Sequence, residues 1–368
     1  MSTVLSLFRN PLYYLLIAVP LTLLGEFVFH WDAMVIFVLA CVAIIPLAKL
    51  VGEATEELAV HTGPKIGGLL NATLGNAAEL IITIFALREG LVDLVRASIA
   101  GSIIGNLLLV MGLSLLVGGL KNGTQVFNRR TAGMNATLLV LALFAMIVPS
   151  FFDAAIIGDL GRELPLNEGI ALIMIALYGL SVYYSFTNKD SVIDREAAVE
   201  EVHHAKWSVR TAVIVLAIST LGIVFMSEAL VGAVEAVTAQ FGLSEVFIGI
   251  ILIPLIGNAA EHLVAVQVAY KNKMELSMAI SLGSSLQIAL FVAPVLVFIS
   301  LLFPTPLLLV FNGYELVALT ASSFIAAFIA QDGESNWLEG AMLLGIYAIF
   351  AIAFFVMPLA EGVTQAAH

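Results

Sequence analysis

Eleven apolar runs, each long enough to cross a bilayer, restrict what this chain can fold into. They lie near residues 12–29, 33–60, 66–88, 91–118, 132–152, 168–187, 209–231, 243–270, 275–303, 307–330 and 337–358. A membrane-spanning helix needs roughly 17–25 such residues. With 61% hydrophobic and 11% charged residues among 368, few soluble folds could hide so much apolar surface. The period-two alternation of a membrane β-barrel is absent. The expectation is therefore an all-α polytopic membrane protein of about eleven transmembrane helices, with the lipid bilayer as its first partner. The first run reads as a retained helix rather than a signal peptide, because it is long, is interrupted by Pro20 and precedes no small-x-small cleavage pattern.

The net charge is −12, and nucleic acid is not expected as a partner. How the charges are distributed says more. If the N-terminus is cytoplasmic, that side carries Arg9, Lys49, Lys65, Lys121, Arg129, Arg130, Lys189, Arg195, Lys206, Arg210, Lys271 and Lys273, against Arg88, Arg96 and Arg162 opposite. Twelve against three is a positive-inside bias. It puts the N-terminus in the cytoplasm and, with an odd number of spans, the C-terminus on the other side.

Within this apolar frame the string Gly-Asn-Ala-Ala-Glu occurs twice, at 75–79 and 257–261. A carboxylate at bilayer depth is disfavoured by at least ~2.5–3.5 kcal/mol, so such residues face cavities and mark ion pathways. The match extends beyond the pentapeptide. At an offset of 182, twelve of the 37 positions in 66–102 are identical to those in 248–284, and Asp93 falls opposite Glu275. Apolar helices resemble one another by composition, but the glycine and polar matches need a repeat. Each copy fits five helices, and an odd count inverts the second copy, which is the plan of secondary transporters. The expected organisation is an extra helix over 1–30, a first unit over 31–188, a cytoplasmic linker over 189–208 and a second unit over 209–368.

The chemistry follows from the residue types. Asn76 and Glu79 share a helix face, as do Asn258 and Glu261. The nearby glycines, with Pro254 in the second copy, open the helix and free carbonyls toward a water-filled cavity. Ser102 follows in the first copy, and Ser284 and Gln287 in the second. The donors are hard oxygens, and two carboxylates with neutral oxygens suit Ca²⁺. No Cys or His cluster offers soft ligands, and Cys41 reads as a buried structural thiol. The serines fit helix packing as well as ligation.

These residues resemble a known family. The paired Gly-Asn-x-x-Glu motifs, the run Gly-Ser-Ser-Leu-Gln-Ile-Ala-Leu-Phe-Val at 283–292 and Ala-Thr-Glu at 54–56 are similar to those of the Ca²⁺/H⁺ exchangers, within the cation/Ca²⁺ exchanger superfamily. The resemblance implies eleven helices, with Glu79 and Glu261 as central ligands supported by Asn76, Asn258, Ser102, Ser284 and Gln287. It implies that Glu56 lines the cytoplasmic approach and that His262 matches a family histidine. It also implies an antiporter of Ca²⁺ and H⁺, not an enzyme, with Ca²⁺ as cargo and no cofactor. Read from the residues alone, Glu56 also fits a solvated acidic patch with Glu53 and Glu57, and His262 a packing role. The linker acids Asp190, Asp194, Glu196, Glu200 and Glu201 are interleaved with bases and read best as a solvated segment. A Na⁺/Ca²⁺ exchanger of the same architecture and, remotely, an intramembrane hydrolase are the alternatives. A second copy of the chain, in a homo-oligomer, remains a further partner to consider.

Overall fold

The computed structural model describes residues 10–63, 66–67, 70, 73–156, 159–187 and 206–357. Apart from one two-stranded ribbon, the regular structure is helical. The order is α1 (Pro11–Phe29), α2 (Ala33–Thr62), α3 (Ala77–Arg88), α4 (Val92–Asn122), β1 (Gln125–Val126), α5 (Arg129–Ile156), α6 (Leu160–Thr187), α7 (Val209–Phe241), α8 (Glu245–Gly257), α9 (Ala259–Tyr270), α10 (Met274–Ser300), α11 (Gly313–Asp332), β2 (Glu334–Ser335) and α12 (Trp337–Phe355). Among the described residues nine helices are long and apolar enough to span a membrane, or ten if the bent pair α8–α9 counts as one span. The expected run over 66–88 lies partly outside the described residues, and only its second half, α3, appears as a continuous helix. The linker acids also lie outside the described residues.

Helix boundaries follow local chemistry. Asn312 and Asn336 accept from the amides of the first turns of α11 and α12, while Glu315 and Glu339 reach back to the cap amides. These are reciprocal capping boxes. Ser208 and Ser244 start α7 and α8 in the same spirit, each accepting an amide three residues on.

Burial separates core from rim. In α4 and α10, 72% and 67% of the apolar window is buried by protein, against 22%, 17% and 17% in α1, α6 and α12. The helices that carry Ser102 and Ser284 thus form the centre, and the rim helices leave their apolar faces for lipid. Helices α2 and α7 pack along each other over much of their length. The end of this pair is tied by Glu57, which accepts the amides of Lys206 and Trp207 at 2.8 and 2.9 Å, and by His61 Nε2, 2.8 Å from the Trp207 carbonyl.

Two expectations change at the level of single elements. Lys49, counted above among loop cations, lies inside α2 and pairs with Glu53 one turn on, at 3.7 Å. The run over 307–330 becomes helical only from Gly313. Pro304 and Pro306 cannot join an interior helical ladder, and the chain from them to Asn312 is non-helical. Its amides at Leu307, Leu309 and Phe311 are taken by Ser300 of α10, Asn167 of α6 and Ser150 of α5 at 2.7–2.9 Å. Side chains here satisfy non-helical backbone that the bilayer could not.

Candidate functional site

The doubled pentapeptide sits at two matching backbone breaks. Asn76 (φ −94°, ψ 16°) and Asn258 (φ −99°, ψ 6°) leave helical geometry in the same way. Each break begins a new helix, α3 or α9, with its glutamate in the first turn. The α8–α9 pair bends by 63° at its break. A helix start presents unpaired amides and the positive end of the helix dipole, so Glu79 and Glu261 occupy the turn that favours negative charge.

The two breaks meet. A Cβ on Gly257 would stand 3.0 Å from Glu79 Cγ, so the glycine of the second motif makes room for the glutamate of the first. Glu79 Oε1 accepts from Ser102 Oγ and, across the repeats, from Asn258 Nδ2 at 2.5 Å. Ser284 lies close to Glu261. Asn76 Nδ2 donates to Gln287 Oε1 at 2.6 Å. The residues expected as ligands therefore gather in separate groups around the two breaks: Glu79 with Ser102 and Asn258, Asn76 with Gln287, and Ser284 beside Glu261. Glu79 is 3% exposed, whereas Glu261 is partly accessible.

Four buried oxygens at these breaks have no hydrogen-bond partner: Glu79 Oε2, Glu261 Oε2, Asn76 Oδ1 and Asn258 Oδ1. Buried polar atoms are normally satisfied. The amide nitrogens of both asparagines point at protein acceptors, which leaves their oxygens with the two free carboxylate oxygens. This donor set fits a hard cation.

The two residues expected on the ion pathway are placed differently. His262 is buried on α9, its Nε2 without a hydrogen-bond partner. Glu56 is exposed on α2, on the side near Tyr13 of α1.

Sequence reasoning missed Asn106. It is 2% exposed and donates from Nδ2 to Ser284 Oγ at 3.1 Å, linking α4 to α10. Its signal was an amide one turn after Ser102 in an otherwise apolar run, but the repeat places Ile288 opposite it. A π-helical turn, Gly105–Val110, contains Asn106, and another, Ile288–Val292, stands at the corresponding place after Gln287. Such turns concentrate at functional sites because the extra residue re-aims the side chains around it.

Fold and site together define an integral, multi-pass helical membrane protein organised around two broken helices. The sequence profile described as sodium/calcium exchanger protein matches residues 33–187 and 211–356. The chain is 47% identical over 353 residues to the Ca²⁺/H⁺ antiporter ChaA of Bacillus subtilis, covering 95% of this chain and all of that one. It is 43% identical over 372 residues to the Ca²⁺/H⁺ antiporter of Aphanothece halophytica, covering 95% and 98%. Among solved structures, native YfkE superposes with a TM-score of 0.82 at 44% identity, covering 95% of this chain and all of that one. The chain belongs to the sodium/calcium exchanger family, in its Ca²⁺/H⁺ exchanger branch, and is a membrane transporter rather than an enzyme.

Proposed function

We propose that this protein exchanges Ca²⁺ for H⁺ by alternating access, with Glu79 and Glu261 binding either one Ca²⁺ or their protons. The observation that carries the reading is the meeting of the two helix starts, where two carboxylates and two asparagines leave four buried oxygens without a hydrogen-bond partner. The names of the two curated relatives, matched over nearly their whole length, favour H⁺ over Na⁺ as the coupling ion.

The cycle follows from charge. Two carboxylates facing one another in apolar surroundings cannot both stay ionised without a counter-cation. Ca²⁺ supplies two positive charges and displaces the protons. When it leaves, protons take its place before the site can change sides, since an empty dianion is held back by the low dielectric. Loaded states are therefore mobile and the empty state is not, which makes exchange obligatory with at least two H⁺ per Ca²⁺. Ser102 and Asn258 hold Oε1 of Glu79 in place and leave Oε2 for the cation. In this reading the chain is an extra first helix and two inverted five-helix units, and the long pair α2 and α7 slides against the core built on α4 and α10. The N-terminus is cytoplasmic and Glu56 feeds the site from that side.

The test is ⁴⁵Ca²⁺ uptake into proteoliposomes under an imposed pH gradient, run beside an equal Na⁺ gradient. Uptake should follow the pH gradient. Glu79→Gln and Glu261→Gln should each abolish it while the proteins still fold, because Gln keeps the volume but cannot ionise. The double variant should be no worse than either single one, and acidification should weaken Ca²⁺ binding to the wild type. Preserved H⁺-driven uptake in either well-folded variant refutes the paired-carboxylate mechanism. Uptake driven by Na⁺ alone moves the protein to the other branch.

A further inference from the structure

The two glutamate-bearing helices end differently. α3 closes on itself: Gly90 adopts φ +78°, and the amides of Glu89, Gly90 and Leu91 return to the carbonyls of Phe85, Leu87 and Ala86 at 2.9–3.1 Å. At the repeat offset of 182, the residue opposite Gly90 is Asn272. Asn272 is also left-handed, at φ +62°, and its amide and that of Lys273 close α9 onto Ala269 and Val268 at 3.0 and 2.9 Å. Glycine makes this closure without strain, and asparagine is the usual second choice. The backbone alone therefore gives no reason to replace the glycine.

The side chain does. Asn272 Oδ1 accepts from Gln125 Nε2 at 2.9 Å, and the same nitrogen donates to the Ala269 carbonyl at 3.0 Å. Gln125 is 2% exposed and is held by its pairing with Ser335 in the β1–β2 ribbon. Asn122 Nδ2 adds longer contacts to the carbonyls of Ala269 and Tyr270, at 3.4 and 3.3 Å. The last turn of α9 is thus bound to the α4–β1 corner, 144–148 residues away in sequence. Among the described residues, the last turn of α3 has as its polar tie to another element only the exposed pair Arg88–Glu228 at 3.3 Å, and exposed pairs of this kind hold weakly.

This matters because of how Glu261 is carried. Its helix starts at a break, where Asn258 is non-helical and the span bends by 63°. A joint of that kind cannot fix the direction of the helix that follows. The other end can, because a twelve-residue helix is stiff and Asn272 lies about 16 Å along the axis from Glu261. We infer that Gln125 and Asn272 are positioning residues for Ca²⁺: their hydrogen bond clamps the far end of α9 and so sets where the Glu261 carboxylate stands in the site. Neither residue touches the cation. The inference rests on the proposed Ca²⁺ site.

Asn272→Gly separates the tether from the turn. It keeps the left-handed backbone, copies the natural arrangement at Gly90 and removes only the side-chain acceptor. Asn272→Asp keeps both the turn and an acceptor oxygen, and Gln125→Leu removes the donor from the other partner. Three readouts are taken on full-length protein: hydrogen exchange over residues 259–273, equilibrium ⁴⁵Ca²⁺ binding in detergent, and pH-driven uptake in proteoliposomes. Asn272→Gly and Gln125→Leu should speed exchange in α9 and weaken Ca²⁺ binding by roughly 3–10-fold, below the 10–100-fold usual for a direct outer partner of a metal ligand. The apparent KM should rise by the same factor with the maximal rate within about twofold of wild type. Asn272→Asp should match wild type in all three. Faster exchange in Asn272→Gly with unchanged Ca²⁺ affinity overturns the positioning role, as does an Asn272→Asp variant as impaired as Asn272→Gly. Wild type that binds Ca²⁺ without exchanging it for H⁺ refutes the proposed function instead, and the binding measurements still decide the tether.

Discussion

Gly101 offers the sharpest perturbation of the transport cycle, because its repeat-mate supplies the control. A Cβ added to Gly101 in α4 would overlap the backbone of Ile250 in α8, at its carbonyl oxygen, Cα and carbonyl carbon. On the facing side, a Cβ on Gly249 would come within 2.5 Å of Ala97 Cβ and 2.9 Å of the Leu94 carbonyl oxygen. Backbone cannot rotate away as a side chain can, so Gly101→Ala forces α4 and α8 apart. Gly283, the matching residue of α10, has nothing within 4 Å of an added Cβ among the described residues. Forcing a methyl into packed structure costs about 1–3 kcal/mol, equivalent to a shift of about 5–150-fold in a two-state equilibrium. Gly101→Ala should therefore lower the population of this state by that factor, and Gly283→Ala should leave it alone and penalise the mirror state. Ser98 is 2% exposed and lies against Gly249, so a cysteine in its place reports the separation of α4 from α8. Its maleimide labelling should rise with Gly101→Ala and stay level or fall with Gly283→Ala, while both variants slow exchange. If both glycine variants move the labelling in the same direction, or Gly101→Ala leaves it unmoved in a folded protein, the asymmetric-packing argument fails.

Two further predictions concern the approach and the topology. Glu56→Gln should lower the transport rate or the apparent affinity on the side from which Glu56 is reached, with some exchange retained; wild-type kinetics would return Glu56 to the solvated-patch explanation. Single cysteines at Leu160 and Glu200 should label from opposite faces of the membrane, Glu200 from the cytoplasm, and labelling of both from one face would remove the inverted-repeat reading.

The sequence revealed most where chemistry conflicts with the bilayer. Charged and amide residues inside apolar runs have no packing excuse, so Glu79, Glu261 and their asparagines could be read without coordinates, and the offset between them exposed the repeat. Asn106 escaped for a related reason: the repeat announces itself through identity between copies, and here one copy has an amide and the other an isoleucine. Hydropathy also failed where backbone chemistry overrides it. The stretch after Pro304 and Pro306 is as apolar as a helix, yet it stays non-helical because prolines break the ladder and distant side chains accept its amides. Lys49 looked like a loop cation by its charge, but an acid one turn away lets it stay inside α2. The contacts of Gln125 lie beyond what sequence carries, since they depend on a two-residue ribbon that no periodicity announces.

The copies agree in sequence at the motif and disagree in geometry, and the disagreements all have the same sense. Asn258 donates to Glu79, but Asn76 donates to Gln287 rather than to Glu261. Glu79 is sealed while Glu261 is partly accessible. Gly101 is packed against backbone, whereas no described residue comes within 4 Å of a Cβ added to Gly283. Part of the difference is in the sequence, since the acceptor of Asn76 is Gln287 and Gly105 stands at the matching position; within the proposed cycle the rest belongs to the state. In the proposed cycle the opposite state is the one in which these roles are exchanged: Asn76 turns to Glu261, α10 closes on its partner and α4 opens. Gln287 and Asn106 have no counterpart across the repeat, where Gly105 and Ile288 stand. They are therefore the residues that can make the two states unequal in energy. In the proposed cycle a cation reaching the site in this state meets Glu261 before Glu79, whose Oε1 already holds two donors. Full coordination by both carboxylates would, in that cycle, require the shift that begins closing the open side, and so would couple occupancy of the site to the movement that carries it across.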